Sequence, residues 1–205
     1  MPDDSAFAGL ADPGAPPPLS PLGPVAEELA AIPADAPVRL VERPMAGLWQ
    51  MTAWPDAMAE AGAAVAAAIG APAPGPGCVA GGSSLRALRI APRRCWLVAE
   101  AAVPAPSIPP AAGTLLDLGH ARCRIVVSGP SARALMRRLV APDTRERALP
   151  AGRVASMPLH HVGVTLETDA TGIAVYLPRS HARALTEVML ETARPFVVGT
   201  LGPGD

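Results

Sequence analysis

Apolar positions along this chain recur with two different periods. Residues 38–52, 85–90, 95–99 and 122–127 are short runs rich in Val, Ile, Leu and Trp and read as strands. The turn Ala91-Pro92-Arg93-Arg94 joins the second and third of these. Residues 153–166 and 172–177 read as a hairpin-like pair joined by turn residues 167–171. Elsewhere the spacing is helical. Pro55 opens a run over 56–69, with Asp56 and Glu60 at its positive end, and Gly70 closes it. Over 131–140, Ala132, Leu135, Met136, Leu139 and Val140 share one face, while Arg133, Arg137 and Arg138 face away. Over 180–193 the inner stripe is Ala182, Leu185, Val188, Met189 and Thr192.

The order strand, helix, strand, strand occurs in both halves, around the Pro/Gly-rich segments 71–84 and 103–112. Ser131-Ala132-Arg133-Ala134-Leu135 is echoed by His181-Ala182-Arg183-Ala184-Leu185, each just after a proline. We therefore expect an α+β fold of ferredoxin-like character, with antiparallel sheets carrying helices on one face. The expected layout is one domain over 38–195, built from two pseudo-related lobes, 38–102 and 113–195. A Pro/Ala-rich arm over 1–37 precedes it, and a tail over 196–205 follows. The arm holds Pro16-Pro17-Pro18, a short helical stretch near 24–31, and apolar Phe7, Leu10, Leu22, Leu29 and Ile32. It is open either to docking on a partner or to disorder.

Composition narrows the chemistry. Half of the 205 residues are apolar but only 3% are aromatic, so Leu, Val, Ile, Met and Ala must pack the core. All 17 basic residues are arginine, which removes Schiff-base, phosphate-loop and general-base lysines. A formal net charge of -1 with mixed signs does not fit a nucleic-acid binder. Asp3 and Asp4 stand where a secretory signal carries positive charge, so a cytoplasmic location is expected. The most apolar run, 61–71, is about half of a bilayer span, so no membrane segment is expected. Cys78, Cys95 and Cys123 form no C-x-x-C pair and read as free thiols, the latter two as small buried hydrophobes.

No catalytic or metal constellation emerges. His160 and His161, read as neighbours in a strand, would point to opposite faces, and His120 and His181 lie far from them in sequence. Gly81-Gly82-Ser83-Ser84 precedes a strand instead of turning from a strand into a helix, as a nucleophile or phosphate loop would. The carboxylates read as solvated surface, except Asp117. It sits among apolar neighbours in Leu115-Leu116-Asp117-Leu118-Gly119-His120 and reads as a structural acceptor for backbone N–H groups.

That segment also begins a resemblance. Leu116-Asp117-Leu118-Gly119-His120-Ala121-Arg122, a strand, Val127-Ser128-Gly129-Pro130 and a helix ending in Arg138-Leu139 look like the opening signature of the folate-binding aminomethyltransferase superfamily. Within it the chain resembles sarcosine oxidase gamma subunits. Ser5-Ala6-Phe7-Ala8-Gly9-Leu10 is similar to that family's N-terminal segment. The runs 88–98, with Ala91-Pro92 and Trp96-Leu97, and 175–180 are similar to its internal strands and late corner. Asp117, Gly129 and Pro130 carry the structural motif. Aminomethyltransferases place an essential aspartate where this chain reads His160-His161-Val162-Gly163-Val164-Thr165-Leu166, and the Lys-Gly-Cys motif of the related iron–sulfur assembly factors has no counterpart here.

The resemblance implies a non-catalytic gamma subunit packed directly on a large alpha subunit, in a complex that also holds beta and delta subunits. It implies no catalytic, cofactor-binding or metal residue in this chain. FAD, FMN, NAD, zinc and tetrahydrofolate would be held by the rest of the complex. That complex would demethylate sarcosine to glycine, forming hydrogen peroxide and passing one carbon to tetrahydrofolate. The alternatives are a gamma-like subunit of an N-methylglutamate-type dehydrogenase, or a stand-alone tetrahydrofolate-binding protein. Candidate partner contacts are Phe7, Leu10, Trp49, Trp54, Arg93 and Arg94, since tryptophan is enriched at interface centres and arginine pairs with acidic patches.

Overall fold

The computed structural model describes residues 20–197. Helix α1 (Val25–Ala30) leads into β1 (Arg39–Glu42) and β2 (Gly47–Ala53), followed by α2 (Met58–Ile69), β3 (Val79–Gly81), β4 (Leu85–Ala91), β5 (Arg94–Ala99) and β6 (Gly113–Asp117). Then come β7 (Arg122–Ser128), α3 (Ala132–Leu139), β8 (Val154–Leu159), β9 (Val162–Thr168), β10 (Gly172–Pro178) and, after a 3-10 turn, α4 (Ala182–Val197). The strands form two antiparallel five-stranded sheets, ordered β3-β4-β5-β2-β6 and β1-β7-β10-β9-β8.

Both halves trace the same path. A strand leads to a helix and then to a three-strand meander whose last strand returns to the first, β5 beside β2 and β10 beside β7. The α+β class stands, but the expected lobes exchange their edge strands. Strand β1 pairs with β7 (Leu40 opposite Val127), and β6 pairs with β2 (Trp49 opposite Asp117). The crossing occurs at Pro44-Met45: Arg43 N–H still bonds Arg124 O, while Ala46 N–H already bonds Ala99 O. One extended segment over 38–52 is therefore two strands in two sheets, broken where proline removes a ladder donor.

Strict alternation sorts the side chains into layers. From the β3–β6 sheet, Trp49, Met51, Ala53, Ala87, Cys95, Leu97 and Ala99 point to α2, which answers with Ala61, Val65 and Ile69. Their neighbours Leu48, Leu88, Trp96 and Val98 point the other way and meet Val154 and Tyr176 of the second sheet. The outer face of that second sheet, including Leu40, Ile125, Val127, Leu166 and Val175, is covered by Leu135 and Met136 of α3 and by Leu185, Met189 and Phe196 of α4. The layers run helix, sheet, sheet, helices.

The segment 20–37 joins this core, correcting the expectation of an arm. Leu22, Val25 and Leu29 are buried against β1 and α4 because one face of α1 is apolar while Glu27 and Glu28 point outward. The rest of the arm lies outside the described residues. A second correction falls on 153–166, which is a hairpin of β8 and β9. His160 and His161 form its two-residue turn, and His160 takes φ 52°, as tight hairpin turns demand. Gly129 breaks β7 from α3 with φ 98°, and a Cβ there would stand 2.5 Å from Pro37 O. Only glycine fits that approach.

Candidate functional site: the seam between the sheets

The seam is apolar at Leu48, Leu88 and Val98 and strongly polar beside them. Alternation turns Arg86 of β4, Arg124 of β7, Glu167 of β9 and Tyr176 of β10 into it, and Glu100 follows β5 on the same face. Arg86 donates from Nε to Glu167 Oε1, from Nη2 to Glu167 Oε2 at 3.0 Å, and from Nη1 to Glu100 Oε1 at 2.5 Å. Tyr176 Oη donates to Glu167 Oε2 at 2.5 Å and accepts from Arg86 Nη2 at 3.2 Å. Arg124 takes Glu100 in a fork, through Nη1 to Oε1 and through Nη2 to Oε2 at 2.7 Å, and its Nε donates to Arg43 O at 3.0 Å.

Two guanidiniums thus face two carboxylates, and the cluster is neutral. Burial disfavours the Arg86 cation, but Glu167 and Glu100 outweigh it and raise its pKa. Hydrogen bonding from Arg124, then Arg86, holds Glu100 down at about 2. Burial and the Glu167 charge push the Tyr176 phenol above its ordinary value. Both carboxylates are saturated by donors, which suits a clamp between sheets better than proton transfer.

This clamp has a pH signature. Glu100 has a folded pKa below its ordinary 4.5, so its contribution is complete above that value and is lost as pH falls from 4.5 toward 2. The urea midpoint is expected to drop over that window, and to drop less in Glu100→Gln. Asp143, held down at the surface by Arg145, titrates in both proteins and cancels in the comparison. An equal acid-induced drop in both proteins would contradict the assignment.

Toward one end the seam opens into a cleft of about 460 Å³, lined by Gln50, Arg94, Trp96, Arg122, Ser156 and Thr165 among others. Trp96 stacks edge-on against Tyr176 at 5.6 Å, donates from Nε1 to Gln50 Oε1 at 3.2 Å, and carries the Arg122 guanidinium over its ring at 5.3 Å. The hydroxyls of Ser156 and Thr165 bond each other at 3.1 Å on the opposite wall.

The residues singled out from sequence scatter around this seam. Trp49 lies in the chain's own core, with its ring over Gly47, because it alternates with Met51 and Ala53 toward α2; it is not a contact surface. Trp54, just past the end of β2, is 44% exposed and donates from Nε1 to Pro110 O at 2.8 Å. Arg93 and Arg94 are exposed at the β4–β5 turn, and Arg94 also lines the cleft. Phe7 and Leu10 lie outside the described residues. Asp117 Oδ1 accepts Gly119 N–H at 2.7 Å, and Gly129 and Pro130 form the β7–α3 break. Leu116, 56% exposed on edge strand β6, was not singled out as a contact.

Sequence reasoning missed the clamp. Its signal was Arg122 and Arg124 spaced by two in an otherwise apolar strand, which puts two cations on one face. Glu167 was read as a turn residue, but β9 runs to Thr168 and buries it. Burial raises the thiols of Cys95 and Cys123 to about 12, as befits small core hydrophobes.

Among the described residues no group of three His, Cys, Asp or Glu side chains could hold a metal, and the glycines at 75–82 lead into strands instead of a helix N-terminus. Among the described residues no helix is long and apolar enough to cross a membrane.

No protein-family model and no curated protein matches the chain. Among solved structures it is similar to a chain of the heterotetrameric sarcosine oxidase from Corynebacterium sp. U-96, a complex with pyrrole 2-carboxylate. The TM-score is 0.78 at 23% identity, over 90% of this chain and 99% of that one. It is also similar to the glycine cleavage system aminomethyltransferase T from Bartonella henselae, with TM-score 0.55 at 19% identity, over 83% of this chain. It spans about half of that enzyme, 49% of its length. The chain shares the fold of both.

Proposed function

We propose that this chain is a non-catalytic, gamma-type subunit of a cytoplasmic sarcosine-oxidase-type complex. The observation that carries the reading is correspondence over whole chains: 90% of this chain overlays 99% of a chain taken from such a heterotetramer. A fold shared over nearly the full length of that subunit is what an equivalent chain requires, whereas only about half of the aminomethyltransferase is represented. The seam supports the same reading, because its carboxylates are occupied by arginines and none lines the cleft.

In this reading the chain packs on an alpha subunit, with beta and delta subunits in the same assembly. The flavins, NAD, zinc and tetrahydrofolate belong to those chains, and sarcosine is the amine oxidised. An N-methylglutamate-type complex would use the same subunit, since amine choice resides at the flavin of another chain. The test is native mass spectrometry of the tagged protein purified from its own cells. A stoichiometric assembly containing a large flavin-bearing chain is the expected result. A monomer or homo-oligomer would overturn the subunit reading.

A further inference from the structure

Arg122 faces the seam but takes no part in the clamp. Its Nε is buried without a hydrogen-bond partner, and among the described residues no carboxylate reaches its guanidinium. Among the described residues, the face of Trp96 holds it. Arg94, on the other sheet from Arg122 and lining the same cleft, has no ion pair among the described residues either. No Asp or Glu lines the cleft, so two guanidiniums share it without a counter-charge. Its remaining surface is the Trp96 indole with Gln50 bonded to it, the Ser156–Thr165 hydroxyl pair, and an apolar wall that includes Ile90, Met157 and Val164.

We propose that this open end of the seam binds a small organic carboxylate, received by the Arg122 guanidinium with Arg94 as the second cation and the Trp96 indole beside its apolar body. A guanidinium fork with a free edge matches a carboxylate in shape and charge. Stacking on Trp96 fixes the plane of that fork without occupying its terminal Nη donors. A volume of about 460 Å³ suits a molecule of modest size, and the apolar wall favours a carboxylate with a flat or aliphatic body over a bare inorganic anion. Burial lowers the Arg122 pKa with nothing opposing it, a cost that a bound anion would offset.

The experiment titrates the full-length protein, in whatever assembly it purifies, with benzoate and with its neutral isostere benzamide by calorimetry. Benzoate is expected to saturate one site per copy of this chain, and benzamide to give no such site. Arg122→Gln, which keeps the length of the stem, is expected to weaken that site at least tenfold, and Arg94→Gln severalfold. The Arg122 comparison separates this cleft from any carboxylate site on a partner chain. Absence of a saturable site, equal binding of benzamide, or full affinity in folded Arg122→Gln would overturn the proposal. If Arg122→Gln fails to fold, the exposed Arg94→Gln decides: undiminished affinity there overturns it.

Discussion

Glu167→Ala is expected to cost about 3 kcal/mol of unfolding free energy, read from urea denaturation. Glu167 is 7% exposed and Arg86 17%, so removing the carboxylate leaves a guanidinium in the seam with much of its desolvation unrepaid. Removing one partner of a buried pair costs about 3–5 kcal/mol in general. The lower end applies here because Arg86 keeps Glu100, and Tyr176 loses only one acceptor. A loss under about 1 kcal/mol would mean that water already screens the pair and that the sheets are not clamped there.

The same reasoning makes the double variant informative. Arg86→Met with Glu167→Leu removes both charges and fills the seam with apolar volume, so it is expected to be more stable than Glu167→Ala. Removing both charges leaves the Tyr176 hydroxyl without its two partners, whereas removing Glu167 alone leaves the Arg86 charge with only Glu100 to offset its burial. What the pair secures is register: Arg86 and Glu167 lie on different sheets, and their bidentate bond fixes where β4 sits over β9.

Features set by local periodicity were legible in the sequence, and features set by long-range pairing were not. The inner face of α3 follows from 3.6-residue spacing alone, and each of its five expected positions is buried. In α4 the buried stripe is shifted toward Thr186, Ala193 and Phe196, since its axis is set by packing on β7 and β10 and on α1. The short strand β3 lies in a Pro/Gly-rich stretch whose composition predicts a loop, and only pairing with β4 makes it a strand. The exchange of β1 and β6 between sheets has no local signature. Nor does the clamp, whose five side chains are spread from Arg86 to Tyr176 and meet only after both sheets form.

Phe196→Ala is expected to destabilise the protein by about 3 kcal/mol, at the lower end for a buried phenylalanine. Pro195 argues from sequence for a helix end, and so places Phe196 in a tail. The helix instead continues to Val197, and Phe196 is fully buried in the core that α3, α4 and the β1–β7 sheet share. Proline is tolerated here because one lost hydrogen bond in the last turn is outweighed by burial of the next side chain. The Arg138 guanidinium stacks on the ring at 5.5 Å, closing the outer side of the pocket. Truncation leaves a cavity that the end of a helix can partly fill by shifting, which sets the lower figure. Thermal unfolding of Phe196→Ala beside Phe196→Leu separates the contributions. Leucine should restore most of the burial but not the stacking, so a Leu variant as unstable as the Ala variant would assign the effect to Arg138 and not to the core.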